Sequence, residues 1–317
     1  MKKNLKANLC WVALIVVAYI AISLFLASSG ARSLYYVQII EQIGINIILA
    51  VGLNMIVGSS GQFSLGHAGF MALGAYATAI VGQYMPSYGG FFISVIMGMI
   101  VAGLVALLVG LPTLRLKGDY LAIATLGVAE IIRILIVNGD SLTNGARGIS
   151  GIPPFTSWQL VFAFVVITTV LSLNFMRSAT GRGIMSVRED EIAAESVGVN
   201  TTKMKVLAFV FGAMTAAIAG SLQAGYVGTV RPTDFAFLTS VNVLIIIVFG
   251  GLGSYTGSFL AAIVLGVLNM ALQSVSDVRM IIYSLALILV MVFRPSGLLG
   301  RKELSFSKFF DKKKEEK

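Results

Sequence analysis

The chain has 317 residues, of which 57% are hydrophobic and 12% charged, and its formal net charge is +9. One water-soluble core cannot bury so much apolar sequence, because single cores stop growing at about 250 to 300 residues. The composition therefore excludes a soluble domain and predicts a membrane protein, and the short basic clusters between apolar runs indicate membrane orientation rather than nucleic-acid binding.

Ten apolar segments are predicted to cross a hydrocarbon layer of about 30 Å. The first, 9–27, follows three lysines and is longer than the apolar core of a signal peptide, roughly 7 to 15 residues, which favours a retained helix over a cleaved signal. The other nine lie near 36–57, 66–84, 91–111, 120–137, 158–176, 205–224, 237–250, 256–275 and 279–293. The predicted fold is an all-α polytopic transmembrane helix bundle of about ten spans, in which residues 1–300 form one domain and 301–317 a basic tail.

The basic residues are distributed unevenly between the two predicted faces of the membrane. Ten spans place both termini and the polar segment 177–205 on one face. Of the 23 Lys and Arg residues, Arg133 falls inside a span and only four fall on the other face, namely Arg32, Arg147, Arg231 and Arg279. Because positive loops stay inside, the first face is expected to be cytoplasmic, with both termini and the tail 301–317.

The polar segment 177–205 contains a predicted short helix. Its first residues are Glu189, Asp190 and Glu191, and it stops at Gly198, a residue suited to the left-handed conformation after a helix. Asn200 or Thr201 is the predicted N-cap of the next span. Because a two-turn helix is marginal in water, we expect it to be held by the neighbouring spans or by a partner.

Two interpretations of this segment remain, a solvated loop and a docking element for a cytoplasmic subunit. The docking interpretation is favoured by small, weakly apolar residues, which a solvated loop does not need: Ala193, Ala194, Val197 and Val199.

Two glycine- and hydroxyl-rich stretches, 52–76 and 247–259, interrupt the apolar spans without adding charge. Such stretches are typical of discontinuous transporter helices, whose unwound backbone lines a cavity. They are also typical of close helix packing through small residues. The sequence leaves both interpretations open.

Polar side chains inside the spans are candidates for a translocation path, because each is costly in hydrocarbon and must face protein or water. The candidates are Asn54, Gln62, Ser64, His67, Glu130 and Arg133. Structural alternatives remain for two of them. His67 could be a buried hydrogen-bonding residue, and Glu130 with Arg133, three positions apart, could form an interhelical clamp.

The chain shows no enzyme motif. It lacks the nucleotide-binding G-x-x-x-x-G-K-[ST] loop and the H-E-x-x-H zinc motif, and a single histidine excludes a multi-histidine metal site. Ser64 and His67 have no nearby acid that would orient them for hydrolysis. We therefore expect a non-enzyme with no catalytic residue and no metal site.

Five segments in order resemble the LivM-type permease subunit of branched-chain amino acid ABC importers. They run from about residue 36 to 300 and read NMIVGSSGQFSLGHAGFMALGAY, RLKGDYLAIATLGVAEIIRIL, NGARGISGIP, VREDEIAAESVGVN and FRPSGLLG. The resemblance implies a multi-pass protein of the cell inner (plasma) membrane that transports leucine, isoleucine and valine by alternating access.

The resemblance also implies partners and a coupling loop. The partners are a second, LivH-like permease, two cytoplasmic ATPase subunits and an extracytoplasmic amino-acid-binding protein. The ATPase subunits use the ATP, so that this chain needs no cofactor. The implied ATPase-coupling residues are Glu189, Asp190, Glu191, Ala193, Ala194 and Gly198.

The sequence departs from the E-A-A-x-x-x-G pattern of ABC permeases at one position. Ala193, Ala194 and Gly198 fit that pattern, but Ile192 stands at its Glu position and Glu191 lies one residue early. This departure leaves the role of the acid in doubt.

Two alternatives remain for function, an importer of urea or short amides and a stand-alone secondary transporter with an ion site at Glu41, Glu130 and Arg133.

Overall fold

The computed structural model describes residues 2–272, 284–285, 288, 292–293 and 296–300. This part of the chain is almost entirely helical. Its helices are α1 (Lys2–Ser28), α2 (Ser33–Leu53), α3 (His67–Tyr84), α4 (Tyr88–Thr113), α5 (Asp119–Asn138), α6 (Asp140–Thr143), α7 (Trp158–Arg177), α8 (Ala179–Glu189), α9 (Glu191–Ser196), α10 (Thr201–Val227), α11 (Phe237–Gly250) and α12 (Tyr255–Ala271). A π-helical turn, Asn54–Ser59, extends α2, and 3₁₀ turns occupy Gly30–Arg32, Gly145–Arg147 and Pro232–Phe235. Strands β1 (Ile149–Ser150) and β2 (Thr229–Val230) pair antiparallel.

The all-α membrane architecture is confirmed, but the prediction of about ten spans is not. Six helices of the described chain are long and apolar enough to cross a membrane, and the number rises to seven if one bent pair is counted as a span. The six are Cys10–Ser28, Ser33–Ser59, Tyr88–Thr113, Asp119–Asn138, Trp158–Arg177 and Thr201–Val227.

The remaining predicted spans account for the difference. The segments 237–250 and 256–275 correspond to α11 and α12, which are bent by 117° at the residues between them. Gly251 and Gly253 at this bend have φ values of 112° and 91°, which L side chains rarely adopt and which end the helix. Helix α3 occupies the predicted span 66–84 but is not among the six. The predicted span 279–293 and the tail 301–317 lie outside the described residues, apart from isolated positions.

Helix α10 lies at the centre of the bundle and packs against α2, α3 and α4. Small residues on its surface let the backbones approach closely. A Cβ atom added at Gly220 would lie 1.9 Å from the carbonyl oxygen of Met71, and one added at Gly74 would lie 2.0 Å from that of Ala217. No side chain fits between α3 and α10 at these positions, so glycine fixes their separation.

Helix α10 also defines the two ends of the molecule. Its 27 residues extend about 40 Å, from the short helix α9 to strand β2. We call these ends the α9 end and the hairpin end. A bilayer suits the surface between them, since large apolar side chains of α1 and α4 are exposed, among them Val17, Leu24, Ile96 and Leu108.

Candidate functional site

The two glycine-rich breaks predicted from the sequence meet in the structure. Asn54, the first residue of the π-helical turn, reaches the bend between α11 and α12. Its Nδ2 atom donates to the carbonyl oxygen of Ser254 over 2.9 Å and to Oγ of Ser258 over 3.1 Å. Its Oδ1 atom accepts the N–H of Gly253 at 2.9 Å. The Asn54 amide therefore uses both of its donors to join one broken helix to the other.

Glycine makes this junction possible. A Cβ atom added at Gly58 would lie 1.8 Å from Oδ1 of Asn54 and 2.5 Å from the backbone nitrogen of Gly253. Next to it, the hydroxyl groups of Ser59 and Tyr255 are 2.9 Å apart. The helices are thus discontinuous here and packed closely through small residues.

Three predicted path residues lie inside the bundle just beyond the junction. Gln62 and Ser64 belong to the non-helical segment 61–66, and His67 begins α3; each is at most 3% exposed. The Gln62 amide has no hydrogen-bond partner among the described residues. Buried polar atoms without partners are costly, which makes this side chain a candidate to meet a polar solute or water.

Glu130 and Arg133 lie elsewhere, on the outer face of α5. Arg133 Nε donates to Glu130 Oε1 over 2.9 Å, and the two side chains are 29% and 44% exposed, respectively. The predicted pairing on one helix face is confirmed. Within the described residues neither side chain bonds to a second helix, so the interhelical clamp stays a prediction.

At the α9 end, the predicted short helix is present, but it begins at Glu191, because Glu189 ends α8 and Asp190 is the N-cap. Asp190 Oδ1 accepts the N–H groups of Ile192 and Ala193, each at 2.9 Å. After the helix, Gly198 has a φ of +85°, and the N–H of Val199 donates to the carbonyl oxygen of Ala194 over 3.0 Å, which closes a Schellman motif. Asn200 is the N-cap of α10, since its Oδ1 accepts the N–H of Lys203.

Helix α8 before it is missing from the sequence prediction. It is amphipathic and buries Gly181, Ile184 and Val187 against the bundle. Their spacing of three residues was the available signal. Ser178 caps its N-terminus by accepting the N–H of Gly181.

Apolar side chains protrude from α9 and from the turn that follows it. Ile192 is 79% exposed and Val197 is 77% exposed, and Ala193 is exposed between them. Ala194 is buried and Val199 half-buried, so these two predicted surface residues face the bundle instead. Exposed large apolar side chains on a polar segment indicate a protein contact. Ile192 is a surface residue that the sequence-based site did not include.

Glu191 ties α9 to two other elements. Its Oε1 lies 2.5 Å from Nζ of Lys205 in the first turns of α10, and its Oε2 lies 3.4 Å from Nζ of Lys117 between α4 and α5. The hydrogen bond from Lys205 lowers the pKa of Glu191 from its usual 4.5, and both lysine charges add to this effect. Glu191, which lies one residue before the Glu position of the E-A-A-x-x-x-G pattern, is therefore ionised and paired.

Arg188 connects α8 to the helix junction. Its side chain passes beside two glycines: a Cβ atom added at Gly61 would lie 3.2 Å from Arg188 Cγ, and one added at Gly253 would lie 2.7 Å from Arg188 Nη1. The α9 end and the broken helices are thus in direct contact. Sequence reasoning did not identify Arg188, because no local pattern reports a contact with glycines so distant in the chain.

Transport permeases are the known proteins to which this chain is similar. The family model described as branched-chain amino acid transport system / permease component matches residues 35–293. The high-affinity branched-chain amino acid transport system permease protein LivM of Salmonella typhimurium is 37% identical over 237 residues, and LivM of Escherichia coli matches equally well. The LivH permease of Salmonella typhimurium is 31% identical over 185 residues, which cover 57% of this chain and 59% of LivH.

The alignment covers 63% of this chain and 56% of LivM, so the chain spans a little over half the length of these two curated relatives. No solved structure matches the chain. The family match extends from α2 to beyond α12 and so includes the helix junction and the α9 end. The chain belongs to the family of permease components of branched-chain amino acid transport systems.

Proposed function

We propose that this chain is the transmembrane permease subunit of an ATP-driven importer for leucine, isoleucine and valine. In this proposal it forms the translocation path by alternating access, together with a second, LivH-like permease. Two cytoplasmic ATPase subunits use the ATP, and an extracytoplasmic amino-acid-binding protein delivers the substrate. The α9 end and both termini then lie in the cytoplasm, as the distribution of basic residues predicts.

The exposed apolar surface of α9 is the observation that carries this proposal. Ile192 and Val197 protrude from a helix whose two ends are capped, so the surface is presented in one fixed conformation. A docking element must transmit force, and a capped helix tied to the bundle suits that task better than a solvated loop. The occupant that we assign to this surface is an ATPase subunit.

Two contacts provide a route from that surface into the membrane. Glu191 ties α9 to Lys205 on the central helix α10. Arg188 reaches Gly61 and Gly253 at the junction of the broken helices. A displacement of α8 and α9 by the ATPase is therefore passed to α10 and to the junction beside Gln62 and His67, where we place the path.

The outer face of α5 is the surface that we assign to the second permease. Glu130 and Arg133 lie near the middle of this helix and are partly exposed, and charged groups at that depth are costly against lipid. A second permease or an aqueous path would cover them. Since they pair with each other, they are poorly suited to carry a coupling ion, which disfavours the stand-alone secondary transporter.

Co-purification and reconstitution test the proposal. The chain is expressed with its permease, ATPase and binding-protein partners, and uptake of labelled leucine into proteoliposomes is measured with and without ATP. We expect a stable complex and uptake that needs both ATP and the binding protein. Full transport by this chain alone, or ATP-dependent uptake of urea but not of leucine, would overturn it.

A further inference from the structure

A cavity of about 420 Å³ lies at the hairpin end, within the size range of small-molecule sites. It is bounded by the last turns of α10, by β2 and by the 3₁₀ turn Pro232–Phe235. The lining residues that matter here are Gln223, Val227, Val230, Arg231, Asp234 and Phe235.

The segment 144–156 holds the cavity wall in place. Ile149 pairs with Val230 in the two-stranded sheet, and the N–H of Ile152 donates to the carbonyl oxygen of Gly228 over 3.0 Å. Thr156 Oγ1 donates to the carbonyl oxygen of Leu222 over 2.8 Å. The motif NGARGISGIP, which the coupling mechanism leaves unexplained, thus fixes the strand that lines the cavity.

The cavity presents two opposite charges beside an apolar surface. Arg231 and Asp234 are exposed at its edge, and neither forms an ion pair with another described residue. Asp234 Oδ2 accepts the backbone N–H of Arg231 at 3.1 Å, which leaves the guanidinium and Oδ1 available. Val230 and Phe235 are buried and form the apolar wall.

These two charges define the matching ligand. A guanidinium suits a carboxylate, and a carboxylate suits an ammonium group. The matching ligand carries both charges close together on an apolar body. A neutral amide such as urea carries neither.

We propose that this cavity is a receiving site for a free α-amino acid with an apolar side chain. Helix α10 places it about 40 Å from α9, on the face opposite the proposed ATPase contact. Its role in import rests on the proposed function, in which the binding protein releases the amino acid at this face. Since exposed charges are screened by water, the site binds weakly and passes its ligand on rather than selecting it.

Cysteine protection in the assembled transporter, without binding protein, tests the site. Cys10, the single cysteine of the chain, is replaced by Ala, and Val227→Cys is labelled from outside with a membrane-impermeant maleimide. We expect leucine at about four times its Kd to slow labelling about fivefold. Leucinol, which lacks the carboxylate, 4-methylpentanoate, which lacks the ammonium group, and urea should not protect.

Matched variants keep the test specific. Tyr84→Cys, at an 81% exposed position that ends α3, should be labelled at the same rate with and without leucine. Arg231→Gln and Asp234→Asn should each abolish the protection of Val227→Cys while the complex still assembles. Equal labelling with and without leucine, or equal protection by leucine, leucinol and urea, overturns the site.

The outcomes also separate this site from the proposed function. Leucine uptake that needs ATP and the binding protein, without protection of Val227→Cys, overturns the site and leaves the importer standing. Protection in a chain that binds no ATPase supports the site and refutes the importer. If Arg231→Gln weakens only the affinity for the binding protein and keeps the protection, Arg231 is a docking contact and the site is overturned.

Discussion

Gly198 offers the sharpest test of the docking surface. Its φ of +85° is a conformation that costs a non-glycine residue about 1 to 2 kcal/mol, and a Cβ atom there would have no neighbour within 4 Å. Gly198→Leu therefore strains the Schellman cap without a clash inside this chain. A cost of that size lowers the equilibrium ratio of the capped to the uncapped conformation of α9 by roughly 5- to 30-fold.

We expect Gly198→Leu to abolish coupled uptake while the basal ATPase activity of the complex persists. The strained cap presents Ile192 and Val197 less often, and the new side chain points into the space that the ATPase would occupy. Gly198→Asn should be milder, because asparagine tolerates the left-handed conformation. Leucine uptake and the stimulation of ATP hydrolysis by the binding protein are measured together in proteoliposomes.

Gly30→Leu is the matched control for backbone strain. Gly30 also has a positive φ, +54°, and open space around it, but it lies between α1 and α2, away from α9. It should leave coupling intact. Wild-type uptake and stimulation in Gly198→Leu would refute the docking role, and equal losses in both variants would show that strain alone is responsible.

Three further predictions concern contacts inside the bundle. Gly58→Ala should lower the free energy of unfolding of the detergent-solubilised complex by about 1 to 3 kcal/mol, and so lower its melting temperature. Gly127→Ala should not, because a Cβ atom added there would have no neighbour within 4 Å. Equal melting temperatures for the two variants would contradict the close packing at the junction. Glu191→Gln should reduce the coupling of ATP hydrolysis to uptake. Because the pKa of Glu191 is lowered, the wild-type ion pair should persist above pH 4.5 and be lost only as the pH falls through the lowered pKa. Loss of the pair should lower the stability of the protein by about 1 kcal/mol or less. Glu130→Gln should reduce uptake more than the double variant with Arg133→Gln, because the single change leaves an unpaired charge in the membrane; a worse double variant would contradict this.

Local features of the fold were predictable from the sequence where local chemistry determines them. Gly198 ends α9 and Asn200 begins α10, because a left-handed glycine and a side-chain cap act within a few residues of their own position. The pairing of Glu130 with Arg133 followed from their spacing on one helix for the same reason.

The predicted span count is not confirmed, in part because length and apolarity do not report a bend. The segments 237–250 and 256–275 both have the composition of membrane helices, but only the structure shows the 117° bend between them. The glycines at this bend were visible in the sequence, yet glycine is equally common inside packed membrane helices.

Contacts between distant residues were also out of reach. Asn54 and Gly253 are 199 positions apart, and neither glycine-rich break contains a sequence pattern that identifies the other as its partner. The two breaks were recognised as special, but their meeting, and the approach of Arg188 to them, depend on how the whole bundle packs. For the same reason the sequence placed Ala194 on the docking surface, although it faces the bundle.

The seam between α3 and α10 also determines where the molecule tolerates chemical change. At Gly74 and Gly220 even one added carbon would overlap a carbonyl group, so any enlargement there must push two helix backbones apart. Reporter groups for spectroscopy therefore belong on the outward faces of α1 and α4, where side chains already extend away from the protein. The close approach of α3 and α10 at the centre of this molecule depends on the missing Cβ atoms of these two glycines.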